Sequence, residues 1–407
     1  MWEPEMTPIY DEKIITLEDI ENVIERAQDD AIVRFSAEAI SKRHGALRDA
    51  ARLQALVTIA KKSKDQQLHL NATQNQESTL SELCTYAPGL TALRLNDVGV
   101  NLGGRVISRR NILPYATKKM VETDNQEFAK VLNGRTIDIC CISGAERQYM
   151  SPLFTTKSAM AVKPPAAMSR TIVDILKLVT IRDFNLLDPG LLDAFGVFAS
   201  ELFKNTQEHA CRDENGQEYI SHVEGMITSF IEMDASIYKG DYTGHERLLD
   251  YWNSRSEKND DGKREKLRCF QISFFDTGPG ITGRAFGDKY KNAPSQDERK
   301  GLLKCIEKNF SSKNQVGAGH GYPTILTQLS KIGGLIRIRT GRQCIFNCFT
   351  KEDQNNWMAN PVEQVELIEE KLMNFDDWSK RTLSPVAGTV VSVIVPLRKE
   401  SDQYSLF

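Results

Sequence analysis

Long apolar runs are missing from this sequence. No stretch of its 407 residues approaches the ~18–20 consecutive apolar residues that a membrane-spanning helix needs. The first residues, Met1–Glu5, are acidic and are not followed by an apolar segment, so they lack the pattern of a secretory signal. Internal repeats and long low-complexity tracts are absent too. These absences predict a cytoplasmic protein that has no membrane partner.

An excess of charge of either sign is also missing. The 52 Lys and Arg residues are nearly balanced by 55 Asp and Glu residues, which gives a formal net charge of −3. A protein that binds nucleic acid needs a basic surface to neutralise phosphates. The composition therefore does not indicate a nucleic-acid partner, and the one short basic stretch, Arg105–Arg110, is expected to be a solvated loop.

Paired cysteines are the third absence. The eight cysteines are scattered, and two of them, Cys140 and Cys141, lie in an apolar run, so reduced and buried thiols are expected rather than a disulfide framework. Cys344 and Cys348 are not followed by a second Cys or His pair at a zinc-like spacing. The hydrophobic fraction of 40% is ample for ordinary folded cores.

The pattern of apolar residues along the chain predicts two α/β units. Between Ile32 and Leu95 short strands alternate with helices, an order that loosely resembles STAS-type regulatory domains. Pro164 and Pro165 interrupt regular structure and place a boundary just after them. The predicted units are an α/β regulatory or partner-binding domain over residues 1–168, a second domain over 169–397 and a C-terminal tail over 398–407.

Short apolar runs give the elements expected in the first unit. The predicted strands are Ile32–Phe35, Gln67–Asn71, Leu90–Leu95 and Thr136–Ser143, and the predicted helices are Ala37–Lys62, Thr79–Cys84 and Asn125–Leu132.

A long helix over about residues 188–211 dominates the second unit. Asp188 can cap it, and Pro189 stands at the first helical position, where its missing N–H costs nothing. Ser169 is expected to cap a preceding helix that ends at Val179. A polar insertion over residues 241–266 lacks periodicity and is expected to be a surface excursion. The predicted sheet strands are Met226–Ile231, Phe270–Phe275, Leu335–Thr340, Cys344–Phe349 and Thr389–Val395.

Three polar residues of the long helix, Glu201, Asn205 and His209, are spaced four apart. On an α-helix they lie on one face. The Asn205 amide oxygen suits Mg²⁺, which takes few protein ligands beside phosphate oxygens. Glu201 is placed to accept a proton from a water in line with a terminal phosphate. The alternative for this motif alone is a solvated helix face.

Two glycine motifs follow in the chain. Asp276 ends an apolar strand and begins the sequence Asp-Thr-Gly-Pro-Gly, in which Gly278 and Gly280 allow positive φ and close backbone approach. Taken alone, this is a common turn. An Asp in this place can accept a hydrogen bond from an exocyclic amine such as the 6-amino group of adenine.

The second glycine motif runs into a helix. Its glycines are Gly317, Gly319 and Gly321. Free N–H groups and the helix dipole at such a start attract phosphate oxygens. Neither a Walker loop nor a Rossmann fingerprint is present. The segment over residues 282–316, between the two glycine motifs, is expected to form a lid over the nucleotide.

A fourth motif, Gly388-Thr389, precedes the last apolar strand. Thr389 taken alone is an ordinary β-branched strand residue. The four motifs in this order resemble the GHKL superfamily of gyrase, the large heat-shock chaperones, histidine kinases and MutL-type repair proteins. The resemblance covers about residues 180–397. It implies a Bergerat-type ATP-binding fold, a two-layer α/β sandwich with helices on one face of a mixed, mostly antiparallel sheet.

The resemblance also implies roles for individual residues. Asp276 corresponds to the Asp that binds the adenine amine, and Thr389 would join it there through water. Lys313 corresponds to a lysine of the kinase branch that contacts phosphate, although a solvated lysine is the alternative. The implied ligands are ATP and Mg²⁺. The expected cofactor-binding set is Asn205, His209, Asp276, Gly278, Gly280, Lys313, Gly317, Gly319, Gly321 and Thr389, with Glu201 catalytic and Asn205 on the metal.

Three activities are compatible with these residues. The first is an ATPase that acts as an ATP-driven conformational switch for an unidentified protein partner in a regulatory or defence system. The second is a protein kinase acting in trans, because Asn205–Ala210 resembles the variant found in anti-sigma-type serine kinases. The third is a nucleotide sensor that hydrolyses little. GHKL ATPases are often dimers, so a homodimer is compatible with the resemblance, but the sequence indicates no dimer face.

Overall fold

The structure is a computed structural model, and it describes residues 9–12, 14–29, 32–158, 161–213, 217–242, 246–258, 265–306, 321–359, 373–374 and 383–397. Among these residues none of the helices is both long enough and apolar enough to cross a membrane.

The strands of the described ranges form two sheets. A small sheet has the order β1-β2-β3-β4-β5, and a large sheet has the order β13-β12-β11-β14-β10-β8-β6-β7, with β9 paired to β10. The strands are β1 (Ile9–Glu12), β2 (Ile32–Phe35), β3 (Gln67–Leu70), β4 (Gly99–Leu102), β5 (Arg105–Ser108), β6 (Thr136–Ser143), β7 (Arg147–Gln148), β8 (Val223–Asp234), β9 (Glu257–Lys258), β10 (Glu265–Asp276), β11 (Leu335–Gly341), β12 (Gln343–Cys348), β13 (Met373–Asn374) and β14 (Val386–Pro396).

Helices connect and cover these strands. They are α1 (Leu17–Arg26), α2 (Ala37–Ser41), α3 (Ala46–Lys62), α4 (Gln76–Cys84), α5 (Ala87–Leu95), α6 (Arg109–Asp124), α7 (Phe128–Val131), α8 (Pro165–Val179), α9 (Pro189–Asn205), α10 (Ala235–Tyr242), α11 (Glu246–Arg255), α12 (Gly280–Phe286), α13 (Ser295–Ile306), α14 (Gly321–Ile332) and α15 (Lys351–Ala359).

Strand direction differs between the two sheets. The first four strands of the small sheet are parallel, and β5 closes it as an antiparallel edge. Every described pairing in the large sheet is antiparallel. The chain is therefore a mixed α/β protein in which antiparallel pairing predominates, as the sequence predicted. All five strands expected in its second unit are present as β8, β10, β11, β12 and β14, although β12 ends at Cys348, one residue before the predicted end.

The large sheet is buried on both faces, which corrects the expectation of helices on one face only. On the α9 face, Phe274 of β10 and Val391 of β14 pack with residues of α8, α9 and α14. On the opposite α3 face, Phe275 and Val390 pack with residues of α1, α3, α5 and α11. Successive strand residues point to opposite faces, so a strand buried on both reads as a continuous apolar run. These elements make three layers.

Helix α3, from the first part of the chain, forms much of the added layer. Its first turn has no local cap: the Ala46 N–H donates to Ser229 Oγ at 2.8 Å, and the Leu47 N–H donates to Gln271 Oε1 at 3.1 Å. Strand β6 also belongs to the large sheet, through its pairing with β8. The predicted boundary at 168/169 therefore does not separate the two sheets.

Several expectations for the first unit need correction. Residues 90–95, predicted as a strand, belong to α5, which Pro88 opens near its first turn; a six-residue apolar run fits either element. The predicted helix over residues 37–62 is broken before Gly45, whose φ of +99° is accessible to glycine. Residues 105–110, predicted as a loop, form β5 and the start of α6.

The second unit also departs from the prediction in places. The insertion over residues 241–266 carries α11, whose Leu248, Tyr251 and Trp252 are buried on the α3 face. Tyr251 and Trp252 follow Leu248 by three and four residues, a helical spacing that the surrounding charges conceal. Helix α8 begins at Pro165, four residues before the predicted cap Ser169. Asp188 does cap α9, because its Oδ1 accepts from the Leu191 N–H at 3.1 Å.

Candidate functional site

The first contact between predicted site residues joins α9 to α14. The Glu201 Oε2 accepts a hydrogen bond from the backbone N–H of Gly321 at 2.7 Å, and Gly321 is the first residue of α14. A carboxylate is favoured there by the helix dipole and the free N–H groups. Two sequence motifs 120 residues apart thus meet, with an acid and an anion-attracting helix start in direct contact.

The polar face of α9 changes its geometry just beyond Asn205. The α-helix ends at Asn205, and Thr206–Ala210 forms a π-helical turn. Such turns are rare and occur frequently at functional sites. The Asn205 side chain is half-buried, and its amide is available for a ligand. The backbone of His209 lies in the π-helical turn, so the regular four-residue spacing ends at Asn205; the His209 side chain is outside what the structure describes.

Asp276 and Thr389 meet as directly opposite residues of β10 and β14. The Asp276 carboxylate, 5% exposed, accepts the Gly278 N–H at 2.8 Å. Burial raises the pKa of Asp276 above its ordinary value, while the Arg284 guanidinium, the Gly278 hydrogen bond and the nearby Thr389 hydroxyl oppose the rise. The predicted pair is therefore assembled at the end of the sheet, on the α9 face.

The glycines of this region permit close backbone contact. Gly278 packs against Ala210 of the π-helical turn, and its carbonyl accepts the Gly388 N–H at 2.7 Å. Gly280 begins α12 with a φ of +84°, and Gly388 has a φ of +71°. A methyl group at Gly388 would overlap the Asp276 carbonyl oxygen. Both positions therefore require glycine.

We expect Gly388→Ala to destabilise the fold by about 2–5 kcal/mol, because left-handed backbone strain adds to the overlap with Asp276. Gly104→Ala is the matched control: Gly104 has a φ of +93° and, among the described residues, no heavy atom within 4 Å of an added Cβ, so it should cost only the backbone strain. Urea unfolding of both variants measures the difference. Equal losses of stability would contradict the overlap.

Two polar residues near Glu201 and Asp276 were not predicted as site residues. Tyr322 packs its ring edge-on against Phe198, with centroids 5.1 Å apart, and its buried hydroxyl has no hydrogen-bond partner among the described residues. Within the same residues, the buried Nη1 of Arg284 in α12 is unpartnered too. Burial raises the pKa of Tyr322, and Arg284, Asp276 and Glu201 all act on it electrostatically. Unpaired buried donors are costly, and such donors suit an anionic ligand.

Sheet register places a further acid beside Asp276. Glu224 of β8 is directly opposite Asp276, and neither its position in the sequence nor a motif identifies it. The only signal was a charged residue at the start of an otherwise apolar strand. Five residues on adjoining strands, which we call the polar row, share the α9 face at this end of the sheet: Cys141, Glu224, Asp276, Thr389 and Thr340.

Helix α3 supports the same end of the sheet from the opposite face. Gln54 Nε2 lies 3.4 Å from the Gly388 carbonyl oxygen, and the Thr58 hydroxyl accepts the Ala387 N–H at 3.0 Å. Lys61 is near enough to lower the pKa of Asp276. The segment that contains Thr389 is therefore held by side chains from the first part of the chain.

Some predicted elements lie partly or wholly outside the described residues, and the C-terminal tail over residues 398–407 is one of them. Lys313, Gly317 and Gly319 fall in the range 307–320, which the structure does not describe. The predicted lid over 282–316 is described as far as residue 306, where it forms the end of α12, a 3₁₀ turn and α13. These site assignments remain predictions.

The residues present fit a magnesium ion held mainly by a nucleotide. Within the described ranges no group of three or more His, Cys, Asp or Glu side chains is arranged to hold a metal ion. Mg²⁺ usually takes only one or two protein ligands together with phosphates and waters. The single amide of Asn205 agrees with that mode of binding.

A separate cavity of about 230 Å³ lies in the small sheet. It is lined by the first residues of β2 and β3 and by the C-terminal end of α3, with His69 Nε2 and Asp65 Oδ2 2.7 Å apart at its wall. No predicted site residue lines it. The cavity is therefore not part of the candidate site.

No protein-family model, no curated protein and no solved structure matched this chain when it was compared with them.

Proposed function

We propose that the protein binds Mg·ATP on the α9 face of the large sheet and hydrolyses it, acting as an ATP-driven switch for a protein partner. The observation that carries the proposal is the contact of Glu201 with the first N–H of α14. It brings an acid and a phosphate-attracting helix start to one place, near the pair of Asp276 and Thr389 that suits an adenine amine.

Each end of the nucleotide has residues suited to it. Asp276 accepts hydrogen bonds and, when ionised, would accept one from the 6-amino group, with Thr389 beside it. The unpartnered groups of Arg284 and Tyr322 are donors for phosphate oxygens, and the dipole of α14 at its N-terminal end adds to the attraction. Glu201 would take the proton of the attacking water.

Asn205 would hold Mg²⁺, which when bound neutralises phosphate charge as it develops. Phosphate transfer within this chain to His44, a histidine expected on a helix in a stretch that faintly resembles a phosphoacceptor box, is not favoured. That residue lies in the break between α2 and α3, not on a helix, and is half-buried. Burial and the nearby Arg52 and Arg48 lower its pKa to about 4. A kinase activity would therefore use a separate protein as acceptor.

Binding of ATP·Mg to the wild-type chain, measured by calorimetry, tests the proposal. Asp276→Asn is expected to weaken binding by about 10–100-fold, because an amide N–H₂ group replaces an acceptor of a charge-assisted hydrogen bond. Asp288→Asn, on the exposed 3₁₀ turn after α12, is the control and should bind as wild type does. Absence of ATP binding by the wild type would overturn the proposal.

Assays of the product distinguish the three activities. An ATPase releases phosphate, a kinase labels a partner protein, and a sensor binds ATP·Mg and does neither.

A further inference from the structure

Glu224 is the best-defined group of the polar row that the proposed function does not use. It is fully buried, with 0% of its surface exposed, and directly opposite residues on antiparallel strands have Cβ atoms about 4.5–5.5 Å apart. Its carboxyl group is therefore a close neighbour of the Asp276 carboxyl, on the same face of the sheet.

The Glu224 side chain is oriented by a chain of hydrogen bonds. Its Oε1 accepts from Gln207 Nε2. The Gln207 Oε1 in turn accepts from Arg147 Nη1 at 2.7 Å, and the same Nη1 also donates to the Ser143 carbonyl at 3.0 Å. Gln207 belongs to the π-helical turn. One carboxyl oxygen is thus committed, whereas Glu224 Oε2 is buried and has no hydrogen-bond partner in the part of the chain that the structure describes.

The two adjacent acids differ in their surroundings. Asp276 accepts the backbone N–H of Gly278, and Arg284 and the Thr389 hydroxyl are near enough to lower its pKa. Burial raises the pKa of Glu224 to about 8, and the charge of Asp276 contributes to the rise, while Ser143, Arg147 and Gln207 oppose it. Two neighbouring buried carboxyl groups readily share one proton. Because Asp276 has more groups that stabilise its charge, we infer that Glu224 carries this proton. The other titratable groups that face Glu224 are Cys141 and Cys211.

We propose that Glu224 is a specificity-determining residue for the nucleobase: its Oε2 donates a hydrogen bond to a ring nitrogen of adenine, N1 or N7, that flanks the 6-amino group accepted by Asp276. The proposal rests on the proposed function, since it needs adenine at Asp276. Asp276 is an acceptor and Glu224, when protonated, is a donor beside it. This pair matches the adenine amine, which donates, and the neighbouring ring nitrogen, which accepts. A buried unpartnered group gains most from such a bond.

The test compares ATP, 1-deaza-ATP and 7-deaza-ATP, each with Mg²⁺, as ligands of three proteins: wild type, Glu224→Gln and Glu224→Leu. Glu224→Gln keeps a donor in the place of Oε2 and an acceptor for Gln207. We expect Glu224→Leu to weaken ATP binding about 10-fold, the size of one hydrogen bond, and Glu224→Gln to bind ATP as wild type does. The deaza analogue that lacks the contacted ring nitrogen cannot accept the hydrogen bond, so it should bind wild type and Glu224→Leu equally.

Each outcome decides a different claim. If Glu224→Leu weakens ATP and both deaza analogues by the same factor, or leaves ATP binding unchanged, the role of Glu224 is overturned while ATP binding by the site stands. If wild type binds no ATP, or Asp276→Asn binds it normally, the nucleotide assignment fails and the role of Glu224 fails with it.

A nucleotide-free measurement keeps the proposal testable if Glu224→Leu does not fold. The folded-state pKa of about 8 exceeds the ordinary value of 4.5, so the folded chain holds a proton that the unfolded chain releases. Wild type should therefore lose stability relative to Glu224→Gln as the pH rises from 4.5 to 8, by up to ~1.4 kcal/mol per pH unit. If the free energies of unfolding of wild type and Glu224→Gln, measured with urea, change in the same way across this pH range, Glu224 is not protonated in the folded chain.

Discussion

Glu201→Gln is expected to lower the rate of phosphate release from ATP·Mg by about 10²–10⁴-fold while ATP binding is retained. The amide has nearly the size of the carboxyl group and can still accept the Gly321 N–H, which the wild-type residue accepts at 2.7 Å. It cannot take a proton from water. The loss should therefore appear in the catalytic rate and not in the dissociation constant.

Asp193→Asn is the control for this variant. Asp193 is an exposed acid on the same helix, α9, and its neutralisation changes the helix charge equally without touching Gly321. Its phosphate release should equal that of the wild type. A Glu201→Gln protein that releases phosphate at the wild-type rate would remove Glu201 as the base, and loss of ATP binding would mean that the residue holds nucleotide.

Glu21→Gln is expected to destabilise the fold by about 3–5 kcal/mol, the cost of breaking a buried ion pair by removing one partner. Glu21 of α1 is 5% exposed. Its two carboxylate oxygens accept from Arg339 Nε and Nη2 at 2.9 Å each, and Arg337 Nη2 lies 3.5 Å from Oε1. Both arginines belong to β11 and are 1% exposed, so neutralising Glu21 leaves two buried cations with less compensation.

Urea unfolding measures this effect against Glu18→Gln, an exposed acid three residues earlier on α1. The control should change stability by less than about 0.5 kcal/mol, as exposed substitutions usually do. Equal stability of the two variants would mean that α1 does not need its ion pairs to remain on the large sheet.

The strands that carry the site could be predicted from the sequence because each is buried on both faces. Residues 270–275 and 389–395 are nearly continuous apolar runs, and the run before Asp276 marks where the acid emerges from the sheet. The local cap at Asp188 was equally visible, because its partner lies three residues away.

The third layer could not be predicted, because its contacts are remote in sequence. The N–H groups that open α3 are capped by Ser229 and Gln271, 183 and 224 residues further on. No pattern within α3 shows that its partners lie on another sheet. Residues 90–95 show a second limit of prediction from sequence. A short, mostly apolar run packs equally well as a buried helix or a buried strand, so the pattern does not distinguish the two.

In the candidate site, too, residues that belong to a local motif could be predicted, whereas residues brought in by remote contacts could not. Motif spacing identified Glu201, Gly321, Asp276 and Thr389, but the neighbour of Asp276 depends on strand register. Glu224 became visible only when β8 and β10 were paired, because a shift of one residue would place it on the opposite face. Tyr322 and Arg284 depend on the approach of α14 and α12 to the sheet in the same way.

The place of β14 in the large sheet has a consequence for the newly made chain on the ribosome. This strand, Val386–Pro396, lies between β10 and β11, although it is the last strand of the described residues. Until it is synthesised, β10 and β11 present unpaired edges to each other, and such edges can associate with other chains. A nascent chain halted before residue 386 should therefore depend on chaperones, whatever the completed protein does with ATP.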